Sequence, residues 1–245
     1  MPSLPKLPFH LPDAISHLSA CDPCIARLIG EVVPFDPGID HSQSPYESLM
    51  EAIAYQSISG KAAATIYSRV KALSAAGQTP TPEEILKLKT RALRKAGLSG
   101  AKVLAMKDLA RKTISGIVPT HEEALTLSDD ELVKRLVSVR GIGAWTVEML
   151  LIFRLGRPDV LPIHDLGVQK GWSVAYGKKH KPRPKELLAF GERWRPYRTV
   201  ASWYLWRAFE KAGYAITNKI RGPKAKRKRF TSKRAKAKPR VAKRS

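Results

Sequence analysis

The sequence contains little cysteine: two residues, Cys21 and Cys24, in a Cys-Asp-Pro-Cys segment. Two thiols are too few to hold a structural zinc ion or an iron–sulfur cluster, and no His or Cys cluster elsewhere in the sequence supplies the missing ligands. We interpret them as reduced thiols in a turn, with a redox pair as the less favoured alternative. The sequence also lacks a long apolar run and a signal-peptide core, so we expect neither a membrane span nor a secretory leader.

Acidic residues are also scarce, with 21 Asp and Glu against 44 Lys and Arg and a formal net charge of +23. Residues 219–245 contain no acidic residue, and the rest of the chain still has an excess of Lys and Arg. Such a protein favours a polyanionic partner, most commonly nucleic acid. An anionic membrane is the weaker alternative, because the tail lacks an apolar helix face. We expect residues 219–245 to be disordered, and either to attract DNA in a salt-sensitive way or to contain a nuclear address.

Alternation of apolar and polar residues, the signature of strands, is missing, whereas helix starts are frequent. At four points a Ser or Thr is followed three residues later by Glu, as in a capping box. These pairs are Ser44 with Glu47, Thr81 with Glu84, Thr120 with Glu123, and Ser128 with Glu131. We therefore predict an all-α fold. The predicted helices cover residues 45–76, 82–88, 90–96, 101–115, 121–126, 129–138, 144–155, 163–176, 185–193 and 196–213, with 13–18 and 23–33 as further short candidates.

A Gly-Ile-Gly turn at residues 141–143 separates two predicted helices. Both Gly141 and Gly143 can take backbone angles closed to other residues, so the turn can be tight. Its amides, and those of the following helix N-terminus, can then approach a phosphate oxygen. The backbone carbonyls of Val137, Val139 and Gly141 could face a monovalent Na⁺ or K⁺ ion that bridges to the same phosphate. An ordinary turn between helices is the alternative.

The helix after this turn is almost entirely apolar. Among residues 144–155 the polar side chains are Thr146, Glu148 and Arg154, which predicts a helix surrounded by other helices. Trp145 and Met149, four residues apart, share one face of it. Near the end of the predicted fold, Trp203, Trp206 and Phe209 are spaced three apart. Core packing is one interpretation of these residues, and we favour it for Trp203 and Phe209.

The segment LVSVRGIGAWTVEMLLIF (136–153) resembles the helix–hairpin–helix element of the HhH-GPD superfamily of DNA glycosylases. DVLPIHDLGVQKGW (159–172) resembles the segment that carries the essential aspartate of that family. Residues 55–66, 97–110 and 194–208 are similar to further blocks of the family, in the same order. The resemblance covers about residues 45–213 and is closest to the 3-methyladenine DNA glycosylase II branch, without the extra N-terminal β-domain of some members.

The resemblance implies a two-lobed helical bundle, with DNA and a base pocket in the cleft between the lobes. Residues 45–156 would form a lobe with the helix–hairpin–helix motif, and 157–218 a second lobe with the catalytic aspartate. Residues 1–44 would pack with this second lobe, and 219–245 would form the basic tail.

Asp165 is the residue at the place of the essential aspartate. As an N-glycosidic bond breaks, positive charge builds on the sugar, and an ionised carboxylate in a poorly hydrated pocket stabilises it. The same carboxylate can steer or deprotonate a water molecule. For an isolated aspartate at a predicted helix start, a helix N-cap or first-turn acid is the alternative role.

The resemblance assigns the other site residues to the base or to the DNA. Expected to bind the extruded base are Trp145, Met149, Trp206 and Gln56, since electron-rich indoles attract a cationic base. Expected to contact DNA are Ser57, Gly141, Gly143 and Thr146, with Ser57 in the loop that fills the gap left by the base. A polar break between helices is the alternative for residues 56–59. Arg195 and Arg198 would neutralise phosphates or remain solvated surface charges.

The expected activity is hydrolysis of the N-glycosidic bond of alkylated purines in double-stranded DNA, without strand cleavage. Members of the superfamily that also cleave the strand place a nucleophilic lysine just after the hairpin, where this chain has Trp145. A non-catalytic helix–hairpin–helix DNA-binding protein and a glycosylase/lyase for oxidised bases are the alternatives. We expect a monomer that needs no cofactor and holds no iron–sulfur cluster, in the cytoplasm or nucleoid of a bacterium or in the nucleus of a eukaryote.

Overall fold

The computed structural model describes residues 7–213, and this part of the chain is helical without a strand, which confirms the all-α prediction. It contains α1 (Leu11–Cys21), α2 (Pro23–Glu31), α3 (Pro45–Tyr55), α4 (Gly60–Lys71), α5 (Pro82–Lys87), α6 (Thr90–Lys95), α7 (Gly100–Ile114), α8 (His121–Thr126), α9 (Asp129–Leu136), α10 (Ala144–Phe153), α11 (Leu166–Ala175), α12 (Pro184–Gly191), a short 3₁₀ helix (Glu192–Trp194) and α13 (Arg198–Lys211). None of these helices is both long and apolar enough to span a membrane. The tail predicted to be disordered, 219–245, lies outside the described residues.

Three of the four predicted capping boxes are complete in the structure. Ser44, Thr81 and Thr120 form complete boxes at α3, α5 and α8. At α9 the box is half formed: Ser128 accepts the amide of Glu131, but the Glu131 carboxylate accepts from Arg135 Nε at 2.7 Å. The prediction of a fourth complete box is therefore wrong, because an ion pair within the helix uses its acid.

A single helix over residues 45–76 is also wrong, since the chain breaks between α3 and α4. Ser57 has φ of 57°, in the left-handed region that ends a helix. Ser59 then caps α4 by accepting the amide of Ala62 at 3.4 Å. The backbone angle of Ser57 and the cap formed by Ser59 thus end one helix and begin the next, with the loop 56–59 between them.

The helices pack in two groups. In the first, α7 packs on α3, α5 and α6, while α10 packs on α3 and α9. In the second, α11 lies along α13, and α2 contacts both. One continuous cluster of buried apolar side chains runs through both groups. The start of α10 meets the start of α11 and the middle of α13, and this junction holds the candidate site.

The Cys-Asp-Pro-Cys segment connects α1 to α2, with Asp22 between the two helices. Asp22 caps α2 by accepting the amides of Cys24 and Ile25, and its Oδ2 accepts Tyr176 Oη at 2.6 Å and Trp194 Nε1 at 2.9 Å. This carboxylate therefore ties the N-terminal helices to the C-terminal ones. Both cysteines are free thiols in the structure, as interpreted from the sequence, but they lie at the end of α1 and the start of α2 and not in a turn.

Candidate active site

Asp165 is the N-cap residue of α11, and its carboxylate collects three donors from three elements. Oδ1 accepts the Val168 amide and Trp206 Nε1, each at 2.8 Å, and Oδ2 accepts Trp145 Nε1 at 2.8 Å. The N-cap role considered as an alternative is therefore real, and it positions the side chain between the two indoles. A carboxylate offers about four lone-pair sites, so Oδ2 retains one for a water molecule or a sugar atom.

Glycines on α11 allow α13 to come this close. A Cβ atom at Gly167 would lie 2.8 Å from Trp206 Cδ1, and one at Gly171 would lie 2.0 Å from the Leu205 carbonyl oxygen. Only hydrogen atoms at these two positions leave room for the Trp206 indole and the backbone behind it. The close packing of the two helices sets the 2.8 Å bond from Trp206 to Asp165.

The predicted pocket residues differ in their exposure to solvent. Trp145 is half-buried beside Asp165, whereas Trp206 and Met149 are each 2% exposed within the core. One face of Trp206 is stacked on Phe153, with ring centroids 5.6 Å apart. In the described structure Trp206 therefore acts on Asp165 through its N–H, and direct contact of Trp206 or Met149 with a base stays a prediction.

Glu148 is a residue that the sequence reasoning did not assign to the site. It lies one turn after Trp145 on α10, and its Oε2 is buried without a hydrogen-bond partner among residues 7–213. Burial, and secondarily the negative charge of Asp165, raise the pKa of Glu148 to about 7. The signal in the sequence was an acid within an otherwise apolar helix.

The glycine hairpin leads directly into α10. Gly141 has φ of 78°, as the prediction requires, but Gly143 has φ of −102° and ordinary extended backbone. The expectation of unusual angles at both positions is therefore wrong for Gly143, which instead begins α10 with no side-chain cap and with open space where a Cβ would be. The first amides of a helix lack acceptors within it, so this end offers donors and a positive dipole to a phosphate.

Thr146, predicted to contact DNA, is 9% exposed and lies beside Ser48 and Leu49 of α3. Its amide donates to the Gly143 carbonyl at 3.0 Å. Its side chain therefore faces inward, and a contact with DNA at this residue stays a prediction.

Gln56 links the loop 56–59 to the hairpin, because its Nε2 donates to the Gly141 carbonyl at 2.8 Å. Ser57, next in sequence, is exposed. The loop predicted to enter the base stack and the turn predicted to bind phosphate thus lie side by side. The roles of Gln56 toward the base and of Ser57 toward DNA stay predictions.

The predicted cation ligands are carbonyls of the same turn. The Val139 carbonyl accepts the Ile142 amide at 3.0 Å, and the Gly141 carbonyl accepts Gln56 Nε2. Each carbonyl oxygen has a second lone pair, so these two oxygens and that of Val137 fit the neutral oxygen ligands that a monovalent cation takes. Lys112 Nζ, which donates to the Ser138 carbonyl, already places one positive charge nearby. The cation stays a prediction.

Arg195 and Arg198 are held by acids of the protein itself. Each forms an ion pair with Asp159 at 2.7 Å, and Arg198 is 9% exposed. Glu192 pairs with both arginines as well, at 2.9 Å and 3.5 Å. Arg198 is therefore a buried, ion-paired residue, and neither alternative drawn from the sequence, phosphate binding or a solvated charge, describes it.

The chain is similar to known proteins in both sequence and fold. A family model described as HhH-GPD superfamily base excision DNA repair protein matches residues 50–196. DNA-3-methyladenine glycosylase 1 of Schizosaccharomyces pombe is 42% identical over 199 residues, or 81% of this chain and 87% of that protein. The structure of the 3-methyladenine DNA glycosylase of that yeast, in complex with abasic DNA, matches with a TM-score of 0.72 at 42% identity over 83% of this chain and 100% of its own. For a DNA-3-methyladenine glycosidase from Bacillus halodurans the TM-score is 0.73 at 32% identity, over 84% and 93%.

Proposed function

The chain belongs to the HhH-GPD superfamily of base excision DNA repair proteins, and we propose that it is a monofunctional DNA glycosylase that removes alkylated purines of the 3-methyladenine and 7-methylguanine type. Its substrate is double-stranded DNA, and its product is an abasic site with the strand intact. The observation that carries the proposal is the Asp165 carboxylate, fixed by the two indole N–H groups of Trp145 and Trp206.

The chemistry follows from that carboxylate. An alkylated purine of this type carries a positive charge, and it leaves the sugar with the bonding electrons as a neutral base. The sugar left behind is cationic, and a preorganised negative group beside it lowers the barrier. The free lone pair of Oδ2 orients the water that attacks C1′. The hydrogen-bond donors to Asp165 are already in place, so the site needs little reorganisation when positive charge develops on the sugar.

The hairpin and the neighbouring loop hold the DNA around this centre. The uncapped start of α10 binds a phosphate near the lesion, and a monovalent cation on the carbonyls of Val137, Val139 and Gly141 would add positive charge to the same contact. The loop around Ser57 occupies the gap left by the extruded base. Since Gln56 joins loop and hairpin, both contacts approach the duplex as one unit.

Strand cleavage is not part of the proposed activity, because a lysine nucleophile is missing from the place where it would attack. Trp145 follows the hairpin, and the sequence has no lysine between Leu136 and Val168. An amine at this place would form a Schiff base with the sugar, whereas an indole cannot.

The test is base release from DNA treated with a methylating agent, analysed by chromatography, followed by alkali to reveal abasic sites. The expected result is release of methylated purines, with strand breaks that appear only after alkali. Borohydride added during the reaction should trap no covalent protein–DNA adduct. Absence of base release would refute the proposal, and an adduct would instead establish a lyase.

A further inference from the structure

We propose that Glu148 is a second acid of the site, which donates a proton to the departing base and thereby allows excision of purines that carry no positive charge. This inference rests on the proposed function and names a further class of substrate for the same centre. Asp165 stabilises the sugar, and Glu148 acts on the opposite fragment of the breaking bond.

The position of Glu148 on α10 is the first support. It stands three residues after Trp145, on a neighbouring part of the helix surface, and the Trp145 indole reaches Asp165 at 2.8 Å. Asp165 is also the charged neighbour that acts on Glu148. Both carboxyl groups therefore lie near the junction of α10 and α11, close enough for the charge of Asp165 to act on Glu148.

The lack of a partner is the second support. Glu148 Oε2 is buried and has no hydrogen-bond partner in the described part of the chain, and an unsatisfied buried polar atom requires an explanation. The other polar side chains of residues 144–155 have contacts within the protein: Thr146 lies against α3, and Arg154 is paired with Asp40 at 2.6 Å. Glu148 is left with a carboxyl that a ligand can engage.

The protonation state is the third support. With its pKa raised to about 7 by burial and by Asp165, Glu148 keeps its proton at pH values where an ordinary glutamate has lost it. On the helices that pack against α10, Glu51 of α3 pairs with Arg154 and Glu131 of α9 pairs with Arg135, and the charge that acts on Glu148 is that of Asp165. A carboxylic acid beside a carboxylate is an arrangement suited to general acid catalysis near neutral pH.

The proposed step balances as follows. The Glu148 proton moves to a ring nitrogen of the neutral purine while the C1′–N9 bond breaks, and the bonding pair leaves with the base. The base departs neutral, Glu148 becomes a carboxylate, and the sugar cation faces Asp165. Water then adds to C1′ and returns a proton to Glu148. One water is consumed, one base is released, and the enzyme is restored.

The test compares two duplexes in single-turnover assays, one with 7-methylguanine, which is cationic, and one with hypoxanthine, which is neutral. The variant is Glu148→Gln, which keeps the shape of the side chain and removes the acidic proton. We expect hypoxanthine release to fall by about 100-fold or more, and 7-methylguanine release to change by less than about threefold. Glu131→Gln, on the surface of α9, is the matched control and should alter neither rate.

A pH profile separates proton donation from a packing role. Hypoxanthine release by the unmodified enzyme should decline as pH rises through about 7, while 7-methylguanine release should not show this decline, and in Glu148→Gln the dependence should vanish. Equal losses on both bases, no loss on either, or an unmodified enzyme that releases 7-methylguanine but not hypoxanthine would each overturn the inference alone. Release of neither base would overturn the proposed function, and this inference with it.

Discussion

Trp145 Nε1 donates to Asp165 Oδ2 at 2.8 Å, and this bond joins the residue that follows the glycine hairpin to the residue that starts α11. A hydrogen bond to a charged group contributes more than a neutral one, so the carboxylate is fixed relative to the helix end that we propose binds phosphate. In the proposed complex, DNA held at the hairpin would meet the Asp165 carboxylate at a fixed distance and orientation.

Trp145→Phe tests that bond, because phenylalanine keeps an aromatic ring but has no N–H. We expect the single-turnover rate on 7-methylguanine to fall about 10-fold to 100-fold, the range for loss of a hydrogen bond to a charged group. Affinity for an abasic duplex, which has no base to stack on the indole, should change little. An unchanged rate would show that Trp145 does not position Asp165.

Gly167→Ala tests the close packing of α11 on α13. The new Cβ would meet Trp206 Cδ1 at 2.8 Å and Nε1 at 3.0 Å, so the indole must move away from Asp165. We expect a lower melting temperature, equivalent to about 1–3 kcal/mol, and a reduced excision rate. Gly30→Ala in α2 is the control, since open space surrounds that position and alanine favours helix by roughly 1 kcal/mol. Equal behaviour of the two variants would contradict this explanation.

Glu148 gives the stability of the protein a defined pH dependence. Because its pKa in the folded state is raised from 4.5 to about 7, the folded state holds the proton more tightly than the unfolded chain does. This stabilisation is complete below about pH 4.5 and is lost as pH rises to about 7. The melting temperature of Glu148→Gln minus that of the unmodified protein should therefore increase between pH 5 and pH 8. A difference that stays constant over this interval would mean that Glu148 has an ordinary pKa.

Gln56→Ala removes the link between the loop 56–59 and the hairpin. Loss of the 2.8 Å bond to Gly141 should weaken binding of an abasic duplex by about threefold to tenfold, the range for a single hydrogen bond. Fluorescence anisotropy at fixed salt measures the change in Kd. Gln78→Ala, in an exposed loop, should bind like the unmodified protein. Equal Kd values for the unmodified protein, Gln56→Ala and Gln78→Ala would show that the bond from Gln56 does not contribute to DNA binding.

Features that depend on neighbouring residues could be read from the sequence. Thr81 with Glu84 and Thr120 with Glu123 close their boxes within one helical turn, as the pattern predicts. At Ser128 the same pattern gives half a box, because Arg135 engages the Glu131 carboxylate. Two arguments from the sequence singled out Asp165: its place at a predicted helix start and its resemblance to the essential aspartate of the family. The structure shows the helix-capping role directly.

Features that depend on tertiary contacts could not be read in this way. The break after α3 was one of the alternatives for residues 56–59, but the bond from Gln56 to Gly141, 85 positions away, follows from no local rule. The burial of Trp206 follows from Phe153 and Gly167 on other helices. Glu148 stood out as a polar residue on an apolar helix, but its proximity to Asp165 required the fold.

The most direct test of the central claim is the single-turnover release of 7-methylguanine by Asp165→Asn. Asparagine is as good an N-cap as aspartate, so α11 should stay intact while the negative charge is lost. We expect a rate at least about 100-fold lower and retained binding of abasic DNA, with a lower melting temperature, because the amide nitrogen of asparagine cannot accept the second indole N–H. Release at the rate of the unmodified enzyme would contradict the claim.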